Sequence, residues 1–361
     1  MRLALAAYII ILLTSGSAQG SDIDPPSRVA RIRSVEGVTT IHDGGTSTAT
    51  SVTRNWPIAS GDEIRTHEAS HAEVDFGDVL LALDASSELT IEELKPDITR
   101  LAITRGTADI TASDGRHETF DLRLTNASIQ ISAPGEYRLE VRANGDARMI
   151  VRRGAAQIRT GHVVFEQDSD EEVAIAHEGT FAIAPAPAVD EPARGRAGSA
   201  PKIDGTQTAK HVTPGLVGYK DLDPFGVWRW NPAYGMMWEP VRVARDWAPY
   251  RFGRWIWKAP WGWTWVDDAP WGFAPFHYGR WAYFDARWLW VPGPRQVPAT
   301  YAPALVRWER AKQGSVDWYP LAPGEEYVPP YPASDLYKRS VNLFAVVSSR
   351  IRRAQAEPLT R

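Results

Sequence analysis

The chain has 361 residues, a formal net charge of −4 and no cysteine. Acidic and basic residues are mixed, which excludes a general electrostatic pull toward nucleic acid. Without cysteine the chain has neither disulfides nor a lipoprotein anchor, so it depends on packed cores, and its length is ample for two.

The first residues read as an export signal. Arg2 precedes an apolar run from Leu3 to Leu13, and small polar residues follow from Ser15 to Gly20. A charged start, a short apolar core and a small-residue zone predict a leader over 1–20, cleaved after Ala18 or Gly20. The run is too short to span a bilayer, and no later segment approaches a span. A periplasmic or secreted location is therefore expected, with no transmembrane span in the mature chain.

From residue 28 to 184 the pattern alternates. Ala72, Val74 and Phe76 alternate with His71, Glu73 and Asp75, and Tyr137, Leu139 and Val141 alternate with Arg138 and Glu140. Turn chemistry separates these runs, at Gly61-Asp62, Gly77-Asp78, Pro134-Gly135 and Asn144-Gly145. Half-buried strands with one apolar face predict an antiparallel β-sandwich or β-roll, and the chain as a whole reads as all-β. Thr104-Arg105-Gly106 and Arg152-Arg153-Gly154 echo each other. Either two related layers or two ordinary Arg-Gly hairpins would produce that echo.

His67-Glu68-Ala69-Ser70-His71 matches the H-E-x-x-H zinc pattern, whose chemistry needs both imidazoles on one helical face. Strand patterns flank it on both sides, so a turn is expected and no metal site. There is no G-x-S-x-G, no phosphate loop and no dinucleotide fingerprint. No catalytic residue and no cofactor are expected. The acidic run Glu166, Asp168, Asp170, Glu171 and Glu172 reads as a solvated loop.

Val35-Glu36-Gly37, Ile58-Ala59-Ser60-Gly61-Asp62-Glu63-Ile64-Arg65-Thr66, Ala72-Glu73-Val74-Asp75-Phe76-Gly77-Asp78, Leu83-Asp84-Ala85-Ser86-Ser87-Glu88-Leu89 and Thr104-Arg105-Gly106 occur in an order and spacing that resemble the FecR-like domain of bacterial envelope proteins. The resemblance covers roughly 29–158 and implies a periplasmic β module. FecR proteins proper relay a transporter signal to a sigma factor through a cytoplasmic segment and a membrane span. The predicted leader departs from that arrangement and argues against transmembrane signalling.

Residues 185–217 shift to Pro, Ala, Gly, Arg and Thr, and read as an exposed tether between two independent domains. Beyond it, 218–331 holds every tryptophan except Trp56. Trp228, Trp255, Trp281 and Trp308 recur every 26 or 27 residues, each followed after nine or ten residues by Trp238, Trp265, Trp290 or Trp318. Trp230, Trp257 and Tyr283 stand two residues after the first three anchors. Residues i and i+2 of a strand share a face, so each W-x-W dyad faces one way, and Trp261, Trp263 and Trp265 are expected to line one ladder. Turn residues between the runs predict an array of short Trp-rich β-hairpin repeats.

Leu, Ile and Val are sparse in this stretch, so indoles must supply the burial. A buried Trp removes roughly 150–250 Å² from water, worth about 4–6 kcal/mol as an upper bound. That suffices only if neighbouring units share faces. The rings left over would serve as platforms. Trp261, Trp271, Tyr278, Asp267, Asp268 and His277 are the candidate ligand-binding residues, with a ring packed in the core as the competing role for His277. The junction Gly218 to Trp228, the repeats and the closing Trp318 to Glu325 resemble a Trp/Tyr-rich bacterial family of unknown function, often found downstream of FecR-like domains. That family brings no activity with it. A tail over 332–361 closes the chain, with a short helix expected over 341–352.

The expected function is that of an exported, non-catalytic envelope protein that binds or scaffolds a partner through two β modules. The alternative is binding of peptidoglycan or exopolysaccharide on exposed rings. Arg229, Arg251, Arg254 and Arg280 interleave with aromatics as in single-stranded nucleic acid platforms, but export argues against that partner.

Overall fold

The computed structural model describes residues 24–44, 48–114, 118–187, 206–310 and 316–343. The predicted leader lies outside them. Among the described residues no helix is long and apolar enough to cross a membrane.

The N-terminal half is built from 17 strands that form one hydrogen-bonded network. Strand Ile98–Ala112 divides that network into two layers. Its first half pairs with Glu88–Leu94 and, in parallel, with Thr119–Arg123. Its second half pairs with Val79–Leu83 and Gly135–Val141. Apolar residues from both layers meet in one core, including Ile32, Val74, Leu89, Leu101, Leu139 and Ile158. The alternation read from the sequence is the burial pattern: Ala72 and Val74 point in, as do Tyr137, Leu139 and Val141.

The Arg-Gly echo marks the layer crossings. Gly106 sits at the bend of the long strand with φ +102°, and a Cβ there would lie 2.2 Å from the Ser87 hydroxyl oxygen. At Gly154 the chain leaves strand Ala147–Arg153 in one layer and enters Ala156–Thr160 in the other. The H-E-x-x-H pentapeptide is a turn between Glu63–Thr66 and His71–Asp75, with Ala69 at φ +52°. His67 meets Thr40 and His71 meets Asp84, on separate partners.

The C-terminal half holds four hairpins: Gly226–Asn231 with Gly235–Pro240, Gly253–Lys258 with Gly262–Asp267, Arg280–Phe284 with Arg287–Val291, and Val306–Arg310 with Val316–Pro320. A second, mainly aromatic core lies among them. One helical turn, Ala274–His277, fills its middle.

Two expectations change here. The stretch 185–217 is not a tether along its whole length. Val212, Leu216 and Val217 are buried in the second core, because that core takes aliphatic groups from the approach segment that the repeats lack. The two halves are also not independent, because a buried polar interface joins them. Arg31, fully buried, donates to Asp75 at 3.0 Å and Asn55 at 2.9 Å, and pairs with Asp221. Burial pushes the Asp221 carboxyl up, but Arg31 and Arg33 outweigh it and hold the carboxyl below its ordinary value. Lys258, 1% exposed, reaches Asp62 at 2.6 Å and also pairs with Asp43. The Asn55 side chain donates to the Asp267 and Ala269 carbonyls at 2.9 and 2.8 Å. Polar groups this buried are held in place because each would otherwise lose its water without replacement.

The tail holds a helix not expected from the sequence, Asp335–Val341, capped by the Ser334 hydroxyl accepting from the Tyr337 N–H, while the helix expected over 341–352 lies almost wholly outside the described residues. Tyr337 and Val341 are buried in the aromatic core, and this burial fixes the helix there. Residues from 344 on lie outside the described chain.

Candidate functional site

Every hairpin has the same cross-strand construction. At its base two tryptophans face each other: Trp228 and Trp238, Trp255 and Trp265, Trp281 and Trp290, Trp308 and Trp318. Two residues nearer the turn comes a second pair on the same face: Trp230 and Met236, Trp257 and Trp263, Tyr283 and Trp288, Arg310 and Val316. Cross-strand neighbours of this kind are the unit of sheet stabilisation.

Four of the eight base tryptophans carry the burial, while Trp228, Trp255 and Trp318 are half-buried and Trp308 is exposed. Trp238, Trp265, Trp281 and Trp290 are each at most 2% exposed. Their hairpins combine in alternation. The first and third join into one four-stranded sheet through the pairing of Trp238 with Trp290. The second and fourth meet ring to ring, Trp255 lying 4.6 Å from Trp308 and 5.5 Å from Trp318. Successive units touch through the Pro-aromatic links. Tyr250 stands edge-on to Phe276 at 4.9 Å and to Trp265 at 5.7 Å. Its hydroxyl donates to the Phe276 carbonyl and accepts from the Leu305 N–H. Indole N–H groups find acceptors too: Trp290 on the Tyr278 carbonyl at 2.8 Å, Trp318 on the Tyr250 carbonyl at 3.0 Å, and Trp265 on the Asp267 carboxylate at 3.1 Å. Edge-to-face rings, several of them anchored by their polar tips, make a rigid core.

The tip pairs remain in solvent. Trp230 is 70% exposed, Trp257 66% and Trp263 55%, with Tyr283 exposed beside them in kind. Trp257 and Trp263 stand perpendicular at 5.6 Å, and among the described residues no other ring stacks on them. These exposed rings are the candidate binding residues.

The residues singled out from the sequence fall elsewhere. Trp261 packs on Tyr301 at 5.0 Å, and Trp271 stands edge-on to Trp238 at 4.9 Å. Tyr278 and Asp267 are 4% exposed and His277 is closed to solvent. The four rings among them cannot stack on an external ligand, because other rings already cover them, and Asp267 is closed off by burial. Asp268 alone faces water, 3.5 Å from Arg254. Burial pushes the Asp267 carboxyl up to about 7 and the His277 imidazole down to about 3. His277 lies between Phe273 at 4.4 Å and Tyr301 at 4.9 Å, with Nδ1 on the Ala302 carbonyl. The expected Trp ladder also breaks. The strand begins at Gly262, with φ +83°, and Trp261 lies in the turn before it, so the i, i+2 rule does not reach back to Trp261. The signal for the exposed rings was present in the sequence: they are the dyad members nearest each turn.

The architecture is that of an all-β chain in which a two-layer strand module supports an aromatic hairpin array. Residues 219–325, the hairpin array with its approach, match the model of a family of unknown function (DUF6600). Two crystal structures of a candidate anti-sigma factor from Parabacteroides distasonis are similar over 34% of this chain, at 17% and 16% identity and a TM-score of 0.31. This chain spans 59% of the length of those chains. A likeness that slight carries no role. No curated protein matches the sequence.

Proposed function

We propose that the chain is an exported, non-catalytic protein of the bacterial cell envelope that holds a partner on the exposed rings of its hairpin tips. The observation that carries this reading is the division of labour within the first three hairpins. Trp238, Trp265, Trp281 and Trp290 at the bases are consumed by the core, while Trp230, Trp257, Trp263 and Tyr283 nearer the turns stay exposed. Large aromatics displayed on a fixed frame are what binding hot spots are made of. The resemblance of 29–158 to the FecR-like domain supports a periplasmic setting, as does the predicted leader. In the test, the tagged full chain is used to retrieve partners from an envelope fraction, beside the variant carrying Trp230→Ser, Trp257→Ser and Trp263→Ser. Partners retained by the wild type and lost by the folded variant support the reading. Identical retrieval by both overturns it.

A second reading is favoured by the Trp257–Trp263 pair. Two perpendicular exposed indoles present faces on which a sugar ring stacks, so a glycan of the envelope is the alternative partner. Protection of tryptophan fluorescence from acrylamide quenching by soluble peptidoglycan fragments, lost in the Trp257→Ser variant, checks it.

A further inference from the structure

A cleft of about 570 Å³ opens between the loop 241–247, which follows the first hairpin, and the turn of the third hairpin. That is the size of a small-ligand site. Two of its walls are indoles. Trp247 is fixed by edge-on contacts to Trp271 at 5.6 Å and Trp281 at 5.5 Å, and Trp288 is fixed by Tyr283 at 5.1 Å. Both indoles are partly exposed into the cleft rather than consumed by the core.

Three arginines, Arg242, Arg245 and Arg287, share the same lining with two carboxylates, Glu239 and Asp285, and outnumber them. Glu239, whose side chain is 7% exposed, pairs with Arg287 and with Arg229. Burial pushes the Glu239 carboxyl up, yet the two guanidiniums hold it below its ordinary value, so it stays ionised and anchors Arg287 at the cleft. Its charge is thereby answered. Arg242 and Arg245 have no carboxylate partner among the described residues. A guanidinium offers a planar fork of donors suited to carboxylate or phosphate.

The backbone supports the same reading. Eight non-glycine residues among those described have left-handed φ, and three of them line this cleft: Arg242 at +62°, Asp285 at +50° and Ala286 at +58°. The last two form a two-residue hairpin turn in which glycine is the usual occupant of the second place. Such conformations persist where the surrounding structure over-determines them, and they gather at ligand sites.

We infer that this cleft binds an anionic saccharide, with a sugar ring against Trp288 and Trp247 and its acidic group on Arg242, Arg245 and Arg287. The inference rests on the glycan reading and moves it from the hairpin tips to a concave site. The acidic group is a carboxylate, as in a uronic acid, or a phosphate ester, and the test separates the two.

Binding to the full chain is measured by calorimetry with trigalacturonic acid, its methyl ester, glucose 6-phosphate, inorganic phosphate and a hexaglutamate peptide. The expected result is binding of one acidic sugar, at least tenfold tighter than the methyl ester, the phosphate ion and the peptide. Trigalacturonic acid as the ligand assigns the carboxylate, and glucose 6-phosphate assigns the phosphate ester. Arg245→Glu and Trp288→Ala should each weaken that binding at least tenfold. Arg245 is exposed, so its variant keeps the test open if Trp288→Ala fails to fold. Val328→Ser, at an exposed residue outside the lining, should leave it unchanged. No binding by either acidic sugar overturns the inference. So does equal binding of the ester, which removes the charge, or of the peptide or phosphate ion, which removes the sugar. If Trp257→Ser abolishes sugar binding and Arg245→Glu does not, the cleft is rejected while the tip reading survives.

Discussion

In the N-terminal layers, Ile32, Val74, Leu101 and Ile158 close over one another with no polar atom to satisfy. In the hairpin module, Trp238, Trp265, Trp281 and Trp290 fill the same role, but each brings an N–H and a flat ring that fits only certain neighbours. Trp238, Trp265 and Trp290 place that N–H on a backbone or carboxylate oxygen, whereas Trp281 leaves it without a partner. An aliphatic core tolerates exchange at constant volume, because its side chains are chemically alike. An aromatic core is made of specific edge-to-face contacts and carries more burial per residue. The short hairpins need that burial, because a hairpin of this length is marginal alone.

The comparison breaks most visibly at the rings themselves. Trp290→Ala should cost about 3–5 kcal/mol, as large-to-small changes at fully buried aromatics do. Trp290→Leu should recover little of it. The Tyr278 carbonyl loses its donor, and the pairing of the first and third hairpins loses its central contact. Leu101→Ile in the aliphatic core should cost less than about 1.5 kcal/mol. Urea unfolding of the three variants measures the difference. Equal losses for Trp290→Leu and Leu101→Ile would mean that the two cores do not differ in kind.

The next largest effect lies where the cores are joined. Lys258→Met removes the cation between Asp62 and Asp43 and should cost about 3 kcal/mol at neutral pH, since a buried carboxylate is left without its partner. Burial already raises the Asp62 carboxyl above its ordinary value in spite of Lys258, so without the lysine it takes up a proton more readily. The loss should therefore shrink as the pH is lowered toward 4. Urea midpoints at pH 7 and pH 4 check both the loss and its recovery. A loss independent of pH would assign the effect to packing.

The aromatic core should also answer to pH through its buried titratable groups. His277 falls from an ordinary 6.5 to about 3. Between those values the unfolded chain binds a proton that the native chain refuses, so this group's contribution is full above about pH 6.5 and is lost as the pH falls toward 3. Asp267, raised to about 7, acts in the opposite sense: its contribution is present below its ordinary value of 3.8 and is lost as the pH rises through about 7. Each swing is on the order of a few kcal/mol. Thermal unfolding from pH 3 to 8 should show a flatter acid limb for His277→Phe. Asp267→Asn should gain relative to wild type above pH 7. If neither slope changes, these groups are not titrating in the native core.

Much of this division was legible in the sequence, and its limit has a physical cause. The W-x-W dyads fix which rings share a face, because the strand period is two. The spacing fixes the hairpins, and the alternation in 28–184 fixes the layers. What covers a shared face is a long-range matter. Nothing local tells Trp238 to meet Trp290 rather than a ring of the second hairpin. For the same reason Trp261, Trp271, Tyr278 and His277 read as available rings, although Tyr301, Trp238 and Phe273 occupy their faces. The interface escaped notice because Arg31, Asp62, Asp221 and Lys258 are ordinary surface residues until their partners, far away in sequence, bury them.

The smallest effect is expected at the tips, and it is the sharpest test of the division between base and tip. Trp257 and Trp263 are a cross-strand pair worth about 0.2–1 kcal/mol to their own hairpin, and their exposure leaves little further burial to lose. The double replacement Trp257→Ser with Trp263→Ser should therefore lower stability by about 1 kcal/mol or less, with the urea slope unchanged because the buried surface is the same. Tryptophan emission should lose part of its red-shifted, readily quenched component, which these two wet indoles supply together with Trp230. Base and tip differ only in what lies above them, so a loss as large as that of Trp290→Ala would show that the tip pair belongs to the core and leave the binding surface without its rings.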